Sequence, residues 1–458
     1  MVSLLGIGWW ARSRTSDDDS FFIGGRHLGS IVASMSYAAG SSSAWSILGV
    51  SGIAYSQGIS AIWLLPGTLA GHVLAWFWLG RRLNEAAHTG RWVTLNDLVV
   101  QGVAGRERRW LLSIAAAIIA CSFLFYVAAQ LQGAANTFAE VFGLTEVVAL
   151  LLGATVVLVY TMLGGFWAVS VTDALQAVLM LFAAVVLPLV ALDAVGGIAG
   201  LSDGLEAHAS GGQLSLTGGN QGLLAAGFIL GMLSIGFGPL GQPHLLNRIM
   251  ALRDRASLET ARVVALAWFV VVLGGMFVAG LCAHELLAAV TVEDPERLFF
   301  QLTDQLLPPV LAGILIAAVL AAIMSTADSQ LLVAASAVSH DLLKRGSLAT
   351  SRFIVGVIGM LAVVVALVLP EAIFSRVLFA WNALGAAFGP IVIARLLDWS
   401  LPAASVGWAM SLGFGLTVVL YLAPDTPGDI AERAVPFLVA FGLLVAMRNK
   451  RAGVGASR

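Results

Sequence analysis

The sequence is poor in charge and in cysteine for a chain of 458 residues. Asp, Glu, Lys and Arg together make up 11% of it, whereas hydrophobic residues make up 59%. A water-soluble protein cannot bury that much apolar sequence, so the composition indicates a membrane protein that crosses the bilayer many times. The formal net charge is −2 and no basic tract appears, which excludes a nucleic-acid partner.

Residues that build enzyme and metal sites are also scarce. Cys121 and Cys282 lie in separate apolar segments, which excludes a disulfide framework and a thiolate metal site. His72, His284 and His340 are scattered without ligand spacing. Because the chain also lacks paired carboxylates in a cleft and a nucleophile motif, we expect neither an enzyme nor an organic cofactor.

Long apolar runs, by contrast, are abundant, and a run of about 20 residues can cross a bilayer as a helix. The sequence predicts two groups of five spans, followed by two more near 402–422 and 434–448. The first group covers 28–54, 60–80, 110–138, 145–163 and 168–194, and the second covers 221–250, 258–289, 309–343, 351–369 and 373–397. Because five is odd, the second group must cross the membrane in the opposite sense, which predicts an inverted repeat.

The first span of each group is interrupted by Gly, Ser and Pro. The interruptions lie around 40–43 and around 236–243, at matching positions in the two groups. Matching interruptions are typical of discontinuous helices beside a site near the bilayer midplane, although two independent kinks are the alternative. The predicted fold class is an all-α polytopic membrane protein with two inverted five-helix repeats, discontinuous first helices and added peripheral helices.

These spans predict a division of the chain and its orientation. The division is a truncated peripheral helix and cytoplasmic loop at 1–27, a first repeat at 28–197, an external loop at 198–220, a second repeat at 221–397, and two peripheral helices with a cytoplasmic tail at 398–458. The loops on one side hold most of the Arg and Lys, whereas only Arg297, Arg376 and Arg433 fall on the other. The richer side, with the C-terminus, should be cytoplasmic, and Arg248 should cap the end of its span there.

One polar helix face stands out inside the apolar sequence, in the stretch VLAAIMSTADSQLL at 319–332. Ala322, Ser325, Thr326 and Ser329 fall at i, i+3, i+4 and i+7, and Asp328 lies beside Ser329. A carboxylate within a membrane span needs a partner, and oxygen ligands suit a hard cation such as sodium. Helix packing by small residues is the alternative explanation for the hydroxyls.

Several stretches together resemble the sodium/solute symporter family, and within it the sodium/proline symporter branch. They are FFIGGRHLG at 21–29, LGGFWAVSVTDALQ at 163–176, GQPHLLNRIMAL at 241–252, AAIMSTADSQLLV at 321–333 and AWNALGAAFGP at 380–390. The resemblance implies a LeuT-like bundle in a bacterial inner membrane. Such a protein imports a small polar organic solute, an amino acid such as proline or a related compound, together with sodium by alternating access.

The resemblance also implies the cation sites. The principal sodium site would use the carbonyls of Ala39 and Ser42 at the first break, the carbonyl of Ala322, and the hydroxyls of Ser325 and Thr326. A second cation site would use Asp173, Asp328 and Ser329. Since two nearby carboxylates repel each other, a cation between them or a protonated Asp328 is expected.

The substrate site implied by the resemblance lies between the two breaks and the third helix. Its residues would be Ser43, Ala44, Trp45, Tyr126, Gln130, Ile235, Pro239, Gln242 and Pro243. The proline branch has larger aromatic residues at two of these positions, where this chain has Ile235 and Pro239, so this pocket lacks two apolar walls of the size that would clamp a pyrrolidine ring. Gln130 needs a polar partner, either a neighbouring helix or the ligand. A transporter-like sensor or receptor and a proton-coupled transporter are the alternative functions.

Overall fold

The computed structural model describes residues 23–163, 166–290, 292–343, 348–369 and 372–448. Within these ranges the chain forms helices and turns, with a single isolated bridge between Leu28 and Leu252 in place of any strand. The predicted peripheral helix falls mostly in 1–22, outside the described residues. So do Lys344, Arg345, Lys450 and Arg451, which contributed to the predicted orientation.

The helices follow one another with short connections. In the first half they are α1 (Ser30–Ala44), α2 (Val50–Gln57), α3 (Leu64–Val73), α4 (Gly80–Gly90), α5 (Leu95–Val99), α6 (Gly105–Phe142), α7 (Glu146–Leu163), α8 (Phe166–Ala194) and α9 (Gly197–His208). In the second half they are α10 (Gly222–Ser234), α11 (Pro243–Met250), α12 (Arg255–Leu286), α13 (Leu298–Leu306), α14 (Pro309–Ser336), α15 (Leu348–Val368), α16 (Ile373–Leu396), α17 (Ala403–Tyr421) and α18 (Ile430–Met447).

Ten helical segments in the described part of the chain are long and apolar enough to cross a membrane. The first of them runs for 61 residues, from Ser30 to Gly90. A straight helix of that length would measure about 90 Å, three times the hydrocarbon thickness of a bilayer. Gly58, with a φ of 63°, ends its first half, so the segment consists of two helical parts and is not one straight helix. Each span predicted from the sequence coincides with helix in the structure.

The first helix of each half is discontinuous. Between α1 and α2 the break falls at Ser43, whose φ of 22° and ψ of −167° lie outside the helical region. A π-helical turn, Trp45–Gly49, then leads into α2. Between α10 and α11 a 3-10 segment, Ile235–Gly241, interrupts the helix. Both breaks lie where Gly, Ser and Pro interrupt the apolar pattern, as predicted.

Glycines at the second break allow neighbouring backbones to touch. A Cβ atom on Gly71 of α3 would lie 2.1 Å from the carbonyl oxygen of Gly236, and one on Gly236 would lie 2.3 Å from that of Gly67. On the other side of the segment, a Cβ on Gly241 would lie 2.3 Å from the Leu384 oxygen in α16. The 3-10 segment is therefore clamped between α3 and α16 at distances that only glycine permits.

Glu296 connects its loop to the start of α16. This contact lies at the end of the bundle opposite most of the arginines. The Glu296 carboxylate accepts hydrogen bonds from the backbone N–H groups of Ile373 and Phe374, at 2.9 and 2.8 Å. Helix starts leave such N–H groups without intrahelical partners, so this loop residue caps α16 from outside the helix. Burial raises the pKa of Glu296, and the two N–H donors oppose that shift.

The close contact at Gly71 predicts a steric effect of its replacement. Gly71→Ala should lower the free energy of unfolding by about 1–3 kcal/mol, because the added methyl must push two backbones apart. Gly274→Ala in α12 is the matched control, since a Cβ there has nothing within 4 Å. Thermal unfolding of both purified variants measures the difference. Equal melting temperatures would contradict the clamped arrangement.

Candidate functional site

The polar face of α14 lies against the end of α1. The carbonyl oxygen of Ala39 is 3.4 Å from the hydroxyl oxygen of Ser325 and 3.3 Å from that of Thr326. The hydroxyl of Ser325 also lies 3.1 Å from the carbonyl oxygen of Ala322. All four residues are fully buried. The structure thus brings four of the five residues predicted for the principal sodium site into one oxygen cluster.

The two contacts to the Ala39 carbonyl oxygen are long for hydrogen bonds. Hydroxyl-to-carbonyl hydrogen bonds are usually about 2.7–2.8 Å long, shorter than the contacts to Ala39. Oxygen ligands of a hard cation such as Ca²⁺ lie about 2.3–2.6 Å from the ion, which places neighbouring ligands about 3.4 Å apart. Two hydroxyls and two carbonyls are the kind of oxygen groups that could hold such a cation.

Ser42, the fifth predicted residue, is the last residue before the break. Its carbonyl oxygen accepts hydrogen bonds from the Ser46 hydroxyl and from the backbone N–H of Trp45. Its own hydroxyl is buried and has no hydrogen-bond partner among the described residues. The turn therefore already uses the carbonyl that was predicted as a ligand, and leaves the hydroxyl of the same residue available.

A second polar cluster surrounds the guanidinium of Arg248, one helical turn farther along α14. Arg248 forms an ion pair with Asp173 of α8 at 2.9 Å, and both side chains are buried. It also donates to the hydroxyls of Ser36 in α1 and Ser329 in α14, and to the carbonyl of His244 in its own helix. One cation thereby connects four helices.

The predicted capping role of Arg248 is wrong. Its position in the last turn of α11 suggested a side chain directed to the surface, but the side chain is 1% exposed and turns into the bundle. The reason is electrostatic, because Asp173 is buried there and an unpaired carboxylate in a membrane interior is expensive. The cation expected beside Asp173 is thus supplied by the protein itself.

Asp328 completes this cluster. One of its carboxylate oxygens lies 3.3 Å from the Ser329 hydroxyl, which is itself 3.5 Å from Asp173. Its other oxygen is buried without a hydrogen-bond partner among the described residues. The three residues of the predicted second cation site are therefore adjacent. Arg248 pairs with one carboxylate of that site and leaves an oxygen of the other open.

Gln130 of α6 supports the first break from the side. Its Nε2 donates to the Ser43 hydroxyl and its Oε1 accepts from the Ala44 backbone N–H, both at 3.2 Å. A break leaves backbone groups without helical partners, so a buried carboxamide that satisfies them stabilises the unusual geometry at Ser43. Gln130 thus has a partner on a neighbouring helix, which is one of the two kinds of partner predicted for it.

Aromatic side chains collect next to the break around Trp381 of α16. The Trp381 indole N–H donates to the Tyr126 hydroxyl at 3.0 Å, and its ring meets that of Trp45 edge-on, with centroids 5.4 Å apart. Gln242 lies 3.5 Å from the Trp381 carbonyl oxygen. The Trp45 indole in turn donates to the Ser41 carbonyl. Three predicted substrate residues thus meet at a fourth, Trp381, which the sequence analysis did not single out.

The other predicted substrate residues lie along the second break. Ile235 and Pro239 are buried in the 3-10 segment. Pro243 begins α11, where its missing N–H is tolerated, and it lines a small cavity toward the arginine-rich end. In the same region His244 lies 3.2 Å from the Gly40 carbonyl oxygen and so connects the two broken helices.

Comparison with known proteins agrees with this architecture. The model of the sodium:solute symporter family matches residues 21–400. The chain belongs to this family. It is 32% identical to the osmoregulated proline transporter OpuE of Bacillus subtilis, over 98% of the chain and 93% of the relative. It is 33% identical to the sodium/proline symporter of Escherichia coli, over 91% of the chain and 84% of the relative.

Solved structures with the same fold have much lower sequence identity. A Na⁺-coupled sialic acid symporter in a substrate-bound outward-open state matches with a TM-score of 0.75 at 16% identity, covering 98% of this chain and 96% of that one. Mhp1, a nucleobase-cation-symport-1 family transporter, matches with a TM-score of 0.59 at 12% identity, covering 93% of this chain and 94% of that one. These matches confirm the predicted LeuT-like fold class.

The buried ion pair predicts non-additive effects of substitution. Asp173→Asn and Arg248→Gln should each lower the free energy of unfolding by about 3–5 kcal/mol, because each leaves an unpaired buried charge. The double variant should lose less than the sum of the two single losses. Thermal unfolding of the four proteins in detergent completes the double-mutant cycle. Strict additivity would show that the pair is not coupled.

Proposed function

We propose that this protein is a sodium-coupled secondary active symporter that imports a small polar organic solute by alternating access. The oxygen cluster of Ala39, Ala322, Ser325 and Thr326 carries the proposal. Its hydroxyls stand farther from the Ala39 carbonyl than ordinary hydrogen bonds would place them. A sodium ion bound there with Ser42 would connect the break of α1 to α14.

The position of this ion accounts for coupling. A ligand shifts a conformational equilibrium only by the difference in its affinity for the two states. An ion held by groups from two helices binds tightly only in the conformation in which those two helices are in contact. Sodium therefore stabilises the conformation in which α1 and α14 meet, and the adjacent break at Ser43 is then ordered for the solute.

We further propose that the second cation site involves Asp328 and Ser329 as its direct ligands. Asp173 shares this cluster but is already neutralised by Arg248. A second sodium ion would therefore draw its negative charge from Asp328. A protonated Asp328 would replace that ion in a proton-coupled cycle.

The solute is an amino acid such as proline or a related compound, held between the two breaks. The Trp45, Tyr126 and Trp381 side chains supply an apolar aromatic wall, and the backbone at Ser43 supplies polar groups. Relatives named as proline transporters support an amino acid. The smaller side chains at Ile235 and Pro239 favour testing compounds related to proline as well.

The same proposal includes the location of the protein, its two repeats and its bound partners. The protein is integral to a bacterial inner membrane, with the arginine-rich end and the C-terminus in the cytoplasm. The two repeats occupy 28–197 and 221–397. The bound partners are sodium, the solute and lipid, and no catalytic step or organic cofactor is involved.

Uptake into proteoliposomes tests the proposal. L-proline, other amino acids, betaines, carboxylates and sugars are offered with an inward sodium gradient, and again with potassium in its place. One solute class should accumulate with sodium alone. Binding without uptake would favour a receptor, and uptake driven by a pH gradient without sodium would favour proton coupling.

The proposed principal sodium site predicts that sodium binding depends on the Ser325 hydroxyl. Ser325→Ala should raise the sodium concentration for half-maximal uptake at least tenfold, because it removes one ligand of the ion. Ser405→Ala is the matched control, since that buried hydroxyl donates to the Pro402 carbonyl at the start of α17. The sodium dependence of initial uptake rates measures both. Equal sodium dependence in the two variants would overturn the assignment.

A further inference from the structure

The small cavity that Pro243 lines lies beyond the described clusters, toward the arginine-rich end, and both polar and apolar side chains form its walls. Its volume is about 10 Å³, and its walls come from α5, α6, α11 and the end of α14. The polar residues that line it are Thr94, Asn96, Asn247, Ser336 and Asp341. A cavity of this size holds one particle about as large as a water molecule, which excludes an organic solute.

A local irregularity in α14 directs Asp341 toward this cavity. After Ser336 the helix continues as a π turn, Ala337–Leu342. Such a turn inserts one extra residue and shifts every later side chain around the helix axis. Ser329, Val333 and Ser336 follow one face at α-helical spacing, which His340 would continue. The π turn brings Asp341 into the cavity wall instead.

The hydrogen bonds of the cavity leave oxygen atoms open. Asn96 donates its Nδ2 to the Asp341 carboxylate at 2.6 Å, and the Thr94 hydroxyl lies 3.2 Å from the same group. Because a carboxylate accepts hydrogen bonds, the amide of Asn96 must present nitrogen to it and oxygen elsewhere. That Asn96 oxygen and the side-chain oxygen of Asn247 have no hydrogen-bond partner among the described residues. Both side chains are at least 98% buried, with exposures of 1% and 2%.

These groups all require a hydrogen-bond donor or a cation beside them. Two open amide oxygens, a carboxylate and the lone pairs of the Ser336 hydroxyl are all acceptors, and a buried acceptor without a hydrogen bond is unfavourable. A water molecule has two protons and can satisfy two of them. A small hard cation satisfies all of them at once, since oxygen ligands of this kind are what such ions prefer.

We propose that this cavity is a transit site for one sodium ion on its way from the principal site to the arginine-rich end. The inference rests on the proposed function for the identity of the ion. Ser325 and Ser329 lie on the α14 face that leads to it, and Ser336 is seven residues beyond Ser329, about 10 Å along the helix. The hydrogen bonds from Asn96 and Thr94 to Asp341 separate this cavity from the arginine-rich end of the bundle.

The test compares sodium affinity on the two sides of the membrane. Full-length protein is reconstituted into proteoliposomes in one orientation. Uptake of the solute identified by the sodium-gradient experiment is then measured at increasing internal sodium concentrations, and potassium keeps the ionic strength constant. Asn247→Leu removes a ligand oxygen, so half-inhibition by internal sodium should need at least fivefold more sodium. Asn247→Asp adds a charge to the ligand set, so half-inhibition should need at least threefold less. The external sodium dependence should change by less than twofold in both.

The opposite directions of the two variants separate an ion site from a structural role. Asn136→Leu in α6, a buried asparagine that bonds Gln132, is the control and should shift neither side. If Asn247→Leu does not fold, the Asn247→Asp shift alone decides. Shifts in the same direction, or none, would overturn the proposal and leave the cavity with a structural water. Absence of sodium-driven uptake in the unmodified protein would instead refute the proposed function.

Discussion

The arrangement of the bundle depends on the pairing of charge inside the membrane. Arg248 lies where four helices meet and bonds to Asp173, Ser36 and Ser329. An isolated charge at that depth would be expensive, so both charges remain only while the helices stay together. This pair fixes α1 and α14 relative to α8 and α11. The same pair thereby aligns the oxygen cluster of Ala39, Ala322, Ser325 and Thr326, which lies one turn away along α14.

Close contact between backbones is the second requirement. The 3-10 segment of the second break passes between α3 and α16 with glycine on both sides. Packing of small residues is a main source of helix association in a bilayer, where burial of apolar surface gains little. The first break is held in another way, by the carboxamide of Gln130. The two breaks thus share a position in their repeats and differ in what supports them.

Much of the fold and part of the candidate site could be predicted from the sequence. Apolar runs gave the span positions, and Gly, Ser and Pro within them marked both breaks, because these residues disturb helices in a local and recognisable way. The hydroxyl face of α14 followed from helical spacing. The partners of Arg248 could not be predicted, since its place at the end of a span suggests a cap and Asp173 is distant in sequence. Trp381 was missed for a similar reason, because an aromatic residue in an apolar helix carries no local signal of its neighbours.

In the proposed function, one ion links the first break to α14 and thereby controls solute binding. The most direct measurement is the melting temperature of the purified protein with and without L-proline or a related solute, in sodium and in potassium at equal ionic strength. The account predicts that a solute raises the melting temperature in sodium and not in potassium, because linked sites must stabilise each other. Equal stabilisation in the two salts would contradict it.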